Sequence, residues 1–241
     1  MEFPWKTQRT ILLVLVVVAA IRLGFIYYQR QQPGVGRKPE AGTSTYRITT
    51  DDYVAPHKIY AYDLKTAGSE LTGKKVWVRG GLRIPYYAAA AGHADIRREL
   101  GLLAPLEKLE IKTVLLQDSP RPGAGKQVLA VFTKAGAPAE YAMAIGDEAD
   151  GNYTFSVNDT LFIDDPHQLY KDWSPETWKA VDSHDVKPGM SELQAGFALG
   201  AIVRASAGDY GNRTLTYAYG GKPVTITFAD NRAVTVVPAG N

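Results

Sequence analysis

Thr214–Val236, TLTYAYGGKPVTITFADNRAVTV, is the stretch from which the fold of this chain is read. Leu215, Tyr217 and Tyr219 fall on one side of an alternating run, and Gly220-Gly221-Lys222 makes a turn. Val224, Ile226 and Phe228 then alternate with Thr225 and Thr227. Asp230-Asn231-Arg232 turns again, and Val234 and Val236 close the pattern. A side-chain period of two with one apolar face belongs to an antiparallel meander covered on one side.

The cover is predicted just upstream. Ser174-Pro175-Glu176 is a helix start: a capping hydroxyl, Pro at the first helical position and an acid in the first turn, giving a helix to about Ser183. In VKPGMSELQAGFALG (Val186–Gly200), Ser191 and Gln194 form a capping box. Glu192 sits at the positive end of the helix dipole, Leu193 and Phe197 share a face, and Gly200 ends the helix. Residues 173–241 are therefore expected to form two helices followed by three strands.

This region resembles the SmpA/OmlA (BamE-like) domain. The resemblance is carried by Gly189-Met190-Ser191-x-x-Gln194, Leu199-Gly200, Tyr217-Ala218-Tyr219 and Phe228 through Val234. It covers about a quarter of the chain. Ala201 stands where the family has Pro, and the lipidated Cys of its lipoprotein members is absent. The resemblance implies a small bacterial envelope domain that binds other proteins and catalyses nothing.

Residues 46–172 read as a β-rich domain. Strands are expected at Lys58–Leu64, Lys74–Ile84, Leu109–Gln117, Gln127–Thr133, Glu140–Ile145 and Tyr153–Ile163, and a helix through the IRREL of His93–Leu103. ELTGKKVWVRGG, ending at Gly80-Gly81, resembles the entry of an OB-type barrel, which implies an oligonucleotide- or sugar-binding face. The fold class expected overall is α+β: a transmembrane helix, a central β-rich, OB-like domain, and a two-helix, three-stranded domain.

Ile11–Tyr28, ILLVLVVVAAIRLGFIYY, carries no polar side chain before Arg22. As a helix it would reach about 27 Å, just under a hydrocarbon core. Arg22 near its end, Trp5 before it and Tyr27-Tyr28 at the other end suit interfacial anchoring. A cleaved signal peptide is the alternative, but Arg22-Leu23-Gly24-Phe25 is a poor cleavage site. A core helix would not sit at a terminus with a polar, Pro-rich exit. The reading is an uncleaved anchor in membrane lipid at 11–28 after a tail at 1–10, a linker at 29–45, and the bulk of the chain in the periplasm. Flanking charges nearly tie, so orientation rests on the short tail and the large following region.

Net charge is +2, with 27 basic and 25 acidic residues, which is not the footprint of a nucleic-acid binder. With no cysteine, disulfides and thiolate metal sites are excluded.

Candidate chemistry is sparse. Asp164, Asp165 and His167 group oxygen and nitrogen donors; an enzyme or metal reading requires them to converge with a further carboxylate or His. The plainer reading is a strand end capped by Asp and broken by Pro166. His184-Asp185 reads as an interhelical turn, and His57 and His93 stand alone. Asp147, Glu148 and Asp150 lack calcium-loop spacing, and Gly123–Lys126 lacks the Ser/Thr and helix of a phosphate loop. Asn152, Asn158 and Asn212 open sequons that read as turn residues, and Ser191 is explained by capping. No catalytic residue, cofactor or metal ligand is assigned. Tyr86-Tyr87, Tyr170, Trp173 and Trp178 are either contact aromatics or cover for the C-terminal region. The expectation is a non-catalytic envelope protein with a protein or cell-wall partner.

Overall fold

The computed structural model describes residue 22 and residues 49–121, 123, 125–220 and 222–238. Tyr46–Asn241 forms one compact unit. Among the described residues it is built from two antiparallel sheets and a few short helices, so the α+β expectation is corrected to a mostly β fold. The anchor stretch lies, apart from residue 22, outside the described residues. No described helix is long and apolar enough to cross a membrane.

The larger sheet contains β1 (Lys75–Val78), β2 (Pro85–Ala90), β3 (His93–Leu102), β4 (Lys108–Asp118), β5 (Lys126–Lys134), β6 (Glu140–Ala149), β7 (Asn152–Phe155) and β8 (Leu161–Phe162). Its order is β3-β2-β6-β5-β4-β1-β8, with β7 hairpinned onto β6. β3 and β8 end that path and do not pair with each other among the described residues, so the closed OB-type barrel is not formed. The helix expected through IRREL is strand β3: Ala94 and Ile96, two apart, are buried on the same side. The strand expected at Lys58–Leu64 is an irregular segment leading into α1 (Leu64–Leu71).

β5 is apolar on both sides, and the sheet uses both. Val128, Ala130 and Phe132 enter a core with Val76, Ile111, Met143 and Ile145. Leu129 and Val131 meet Ala94, Ile96 and Ala142, which places β3 over the second face. Gln117 of β4 replaces a strand there: its Nε2 donates to the Ala94 carbonyl at 2.7 Å, and its Oε1 accepts from the Ala94 amide at 2.9 Å. Both backbone groups of an otherwise open edge are thereby satisfied.

The second sheet runs β12 (Arg232–Pro238), β11 (Lys222–Ala229), β10 (Thr214–Tyr219), β9 (Ile202–Ala205). It has four strands where three were expected, because Ile202–Ala205 pairs with β10. Leu215, Tyr217, Ile226 and Phe228 face inward, while Thr214–Thr227 and Thr216–Thr225 pair hydroxyl to hydroxyl on the outer face. Short α2 (Val157–Thr160) joins β7 to β8 within the larger sheet, and α3 (Pro166–Leu169) follows β8 on the way to the second sheet. α4 (Pro175–Asp182) and α5 (Glu192–Leu199) follow, each capped by the Ser named from sequence: Ser174 and Ser191.

One core crosses the seam between the sheets. Phe162 of β8, Tyr170, Trp173, Trp178 and Phe197 of α5 pack ring to ring, with centroids of 5.6 Å for Phe162–Phe197 and 4.8 Å for Trp173–Trp178. Tyr170, Trp173 and Trp178 are thus core residues and not contact aromatics. The seam is tightest at Gly80, after β1, where a Cβ would lie 2.2 Å from the Gly196 carbonyl oxygen. Gly196 itself has room for a methyl group.

Gly80→Ala should therefore force the sheets apart and cost about 2 kcal/mol, an overpacking penalty. Thermal unfolding of Tyr46–Asn241 should show it as a Tm lower by about 4–8 °C for a unit of this size. Gly196→Ala, which relieves a helical glycine, should leave Tm unchanged or raise it by an amount equivalent to about 0.5–1 kcal/mol.

Candidate functional site

The residues singled out from sequence do not assemble into one site. Asp164 turns to His57: its Oδ1 lies 2.7 Å from His57 Nδ1, and its Oδ2 accepts from the His57 amide at 2.9 Å. Burial works against the charged form. The two His57 hydrogen bonds and its charge prevail, and hold the Asp164 carboxyl below its ordinary range. Asp165 instead caps α3, accepting from the His167 amide at 3.0 Å. The His167 ring stacks on Trp178 at 3.9 Å between Asp165 (3.4 Å) and Asp182 (3.2 Å). Asp164 and Asp165 thus serve two separate pairs, and no His/Asp/Glu group among the described residues could hold a metal ion.

His184 Nδ1 contacts the Ala198 carbonyl at 2.9 Å, tying the α4–α5 turn to the end of α5. Glu148 accepts from the Gly151 amide at 2.7 Å within the β6–β7 hairpin, so the acidic loop is internally bonded. These geometries position backbone.

A feature not identified from the sequence lies on the seam. Leu82, Leu102, Leu103, Pro105, Leu199 and Ala201 line an apolar cleft of about 470 Å³. Leu82 and Leu102 are exposed at its rim. Arg79 forms part of the wall, with its guanidinium 4.4 Å above the Phe162 ring and donating to the Asn158 carbonyl at 2.6 Å. The cleft ends at Ala201, the residue before β9. That strand is the end of its sheet, has no partner on its outer edge among the described residues, and exposes all four of its side chains. Val203 is 60% exposed and Ile202 38%. Neither strand nor cleft has a local sequence signal: IVRA is too short to read by period, and the cleft joins residues more than a hundred positions apart.

β9 is held by the turn that follows it. Glu192 is 4% exposed. Its carboxylate accepts from the Gly211 amide at 2.8 Å and from Arg213 Nε at 3.1 Å, with a second, shorter bond from Arg213 Nη2. The Glu192 amide donates to Asn231 Oδ1 at 3.1 Å, and Asn231 donates its own amide to the Gly211 carbonyl. The hydrogen bond it donates to Glu192 keeps the Arg213 guanidinium more firmly protonated than usual. Glu192 thus joins the start of α5 to two turns: its carboxylate holds the β9–β10 turn and its backbone amide the β11–β12 turn. The Tyr217 hydroxyl nearby is buried without a protein partner, and burial pushes its ionisation well above the ordinary range.

Compared with known proteins, the chain matches no family model, no curated protein and no solved structure. The likeness to the SmpA/OmlA domain therefore rests on the residues quoted for it.

Two outcomes follow. Glu192→Ala should lower unfolding free energy by about 3 kcal/mol in urea titration, because it strands a guanidinium in a half-closed site. The Asp164–His57 contact is an acid-sensitive one. A lowered carboxyl pKa contributes stability above the ordinary carboxylate range and loses it as pH falls through the lowered value. The Tm gap between the parent chain and Asp164→Asn should therefore be open at neutral pH and close in strong acid.

Proposed function

We propose that this chain is a membrane-anchored, non-catalytic protein-binding module of the bacterial envelope. It holds an extended segment of a partner protein along the outer edge of β9, with apolar side chains of that segment in the adjoining cleft. The observation that carries this reading is a strand edge, open among the described residues, that begins one residue after Ala201 in the wall of an apolar cleft.

A bare edge presents unpaired amides and carbonyls, and proteins ordinarily blunt such edges with charge, Pro or cover. β9 has only Arg204 for this purpose, and it exposes Ile202 and Val203 besides. An added strand would satisfy those backbone groups, and side-chain pockets beside the edge would select its sequence. Each large apolar side chain buried there contributes roughly 1.5–3 kcal/mol. The anchor part of the reading is supported by Ile11–Ile21, eleven consecutive residues without a polar side chain. The likeness of residues 173–241 to an envelope domain supports the compartment.

A photo-reactive phenylalanine placed at Val203 or Leu102 of the full chain should cross-link in cells to one partner of discrete mass. The same probe at Lys65, on α1, should not. Val203→Asp, with the probe at Leu102, should reduce the adduct at least about tenfold, which corresponds to 1.4 kcal/mol. Equal labelling from Lys65, or none from either cleft position, would remove the reading.

A further inference from the structure

The segment that enters the compact unit displays two tyrosines on a backbone that is pinned in three places. The His57 amide donates to Asp164 Oδ2 at 2.9 Å. The Ile59 amide donates to Asn158 Oδ1 at 2.8 Å, and the Ile59 carbonyl accepts from Asn158 Nδ2 at 2.8 Å. The Tyr62 amide donates to Thr66 Oγ1 at 3.1 Å. Held this way, Ile59 and Ala61 turn into the core around Leu71 and Val157. Tyr60 and Tyr62 turn out, at 78% and 74% exposure. Tyr53, also exposed, precedes them in the same run, and Lys58 and Lys65 are exposed beside them.

An extended stretch with alternate residues clamped inward presents its remaining side chains on one side. Here that side carries the Tyr60 and Tyr62 rings, with exposed Lys58 and Lys65 near them in sequence and the acidic Asp52 and Asp63 at either end. Tyr rings with an apolar body and a polar tip are the side chains of membrane–water interfaces, and lysines beside them suit anionic headgroups. Position along the chain selects the occupant. The continuous described stretch begins at Thr49, four residues before Tyr53, and the apolar run Ile11–Tyr28 precedes it in sequence. The 21 residues from Tyr28 to Thr49 limit the separation to about 75 Å even at full extension. Arg30, Arg37 and Lys38 in that interval add positive charge to the sequence between them.

We propose that the face bearing Tyr60 and Tyr62 rests in the interfacial layer of the same bilayer that holds Ile11–Tyr28. The proposal rests on the anchor reading and adds to it an orientation: the unit is docked on the lipid through this face.

The chain has no cysteine, so single probes can be placed without altering it further. Tyr60→Cys, Tyr62→Cys and, on β12, Val234→Cys would each carry an environment-sensitive fluorophore. The full-length protein is reconstituted into phosphatidylcholine vesicles with and without phosphatidylglycerol. Probes at 60 and 62 should shift to the blue and be quenched by nitroxide lipids several-fold more than the probe at 234, and more so with phosphatidylglycerol. Tyr60→Ser/Tyr62→Ser should abolish the same signal from a probe at Lys58. Probes at 60 and 62 as wet as the one at 234, in protein that resists carbonate extraction, would overturn the face and leave the anchor standing. Shielding that requires added envelope protein would also overturn it. Release of the full-mass chain by carbonate would instead remove the anchor. The same probes on the released chain with vesicles added then decide the face: a blue shift supports it, and none overturns it.

Discussion

The backbone contact between Gly80 and Gly196 is the constraint on which the rest of the structure depends. A strand exit and a helix meet there with no side chain between them, because a Cβ on Gly80 would overlap the Gly196 carbonyl. That approach lets Phe197 reach Phe162 and Trp173, and the resulting aromatic core joins two sheets that have no strand pairing between them. It also leaves a gap at the rim. Where α5 ends at Gly200 against Pro105, the apolar cleft opens, with Ala201 in its wall just before β9. The close contact and the open cleft are consequences of one packing geometry.

A second theme is the use of side-chain amides in place of strand pairing. Gln117 satisfies both backbone groups of Ala94, and Asn158 does the same for Ile59. Each amide offers one donor and one acceptor at the spacing of a peptide group, so each can end a sheet or fix a loop without another strand. The contrast with β9 is informative. Ala94 and Ile59 have their outward backbone groups covered, whereas the outer edge of β9 has no partner among the described residues. Glu192 shows the same economy with charge: one buried carboxylate bonded to Gly211 and Arg213 locks the turn that presents this edge.

The legible parts of the sequence were those whose cause is local. The starts of α4 and α5 follow from Ser174-Pro175 and from Ser191 with Gln194, because a cap is a contact within three residues. The Leu215–Phe228 face follows from alternation. The reading of IRREL as a helix was wrong for a reason that is not local. Those residues have helical propensity, but Ala94 and Ile96 are needed on one side to cover Leu129 and Val131. Tyr170, Trp173 and Trp178 were ambiguous for a similar reason: an aromatic run looks alike as a contact patch or a core until its partner, here Phe197, is placed.

Asp164, Asp165 and His167 show the limit most plainly. Adjacent in sequence, they suggest one site. In the fold Asp164 is taken by His57, 107 residues away, and His167 by Asp182. The sequence by itself determined where α4 and α5 begin and which side of the Leu215–Phe228 strands is apolar. Tertiary structure alone decided which donors meet, which edge is left open and which tyrosines are held outward. The physical reason is range. Capping and alternation act over a few residues, whereas a clamp or a cleft joins segments about a hundred residues apart, and their meeting is set by how the sheets pack.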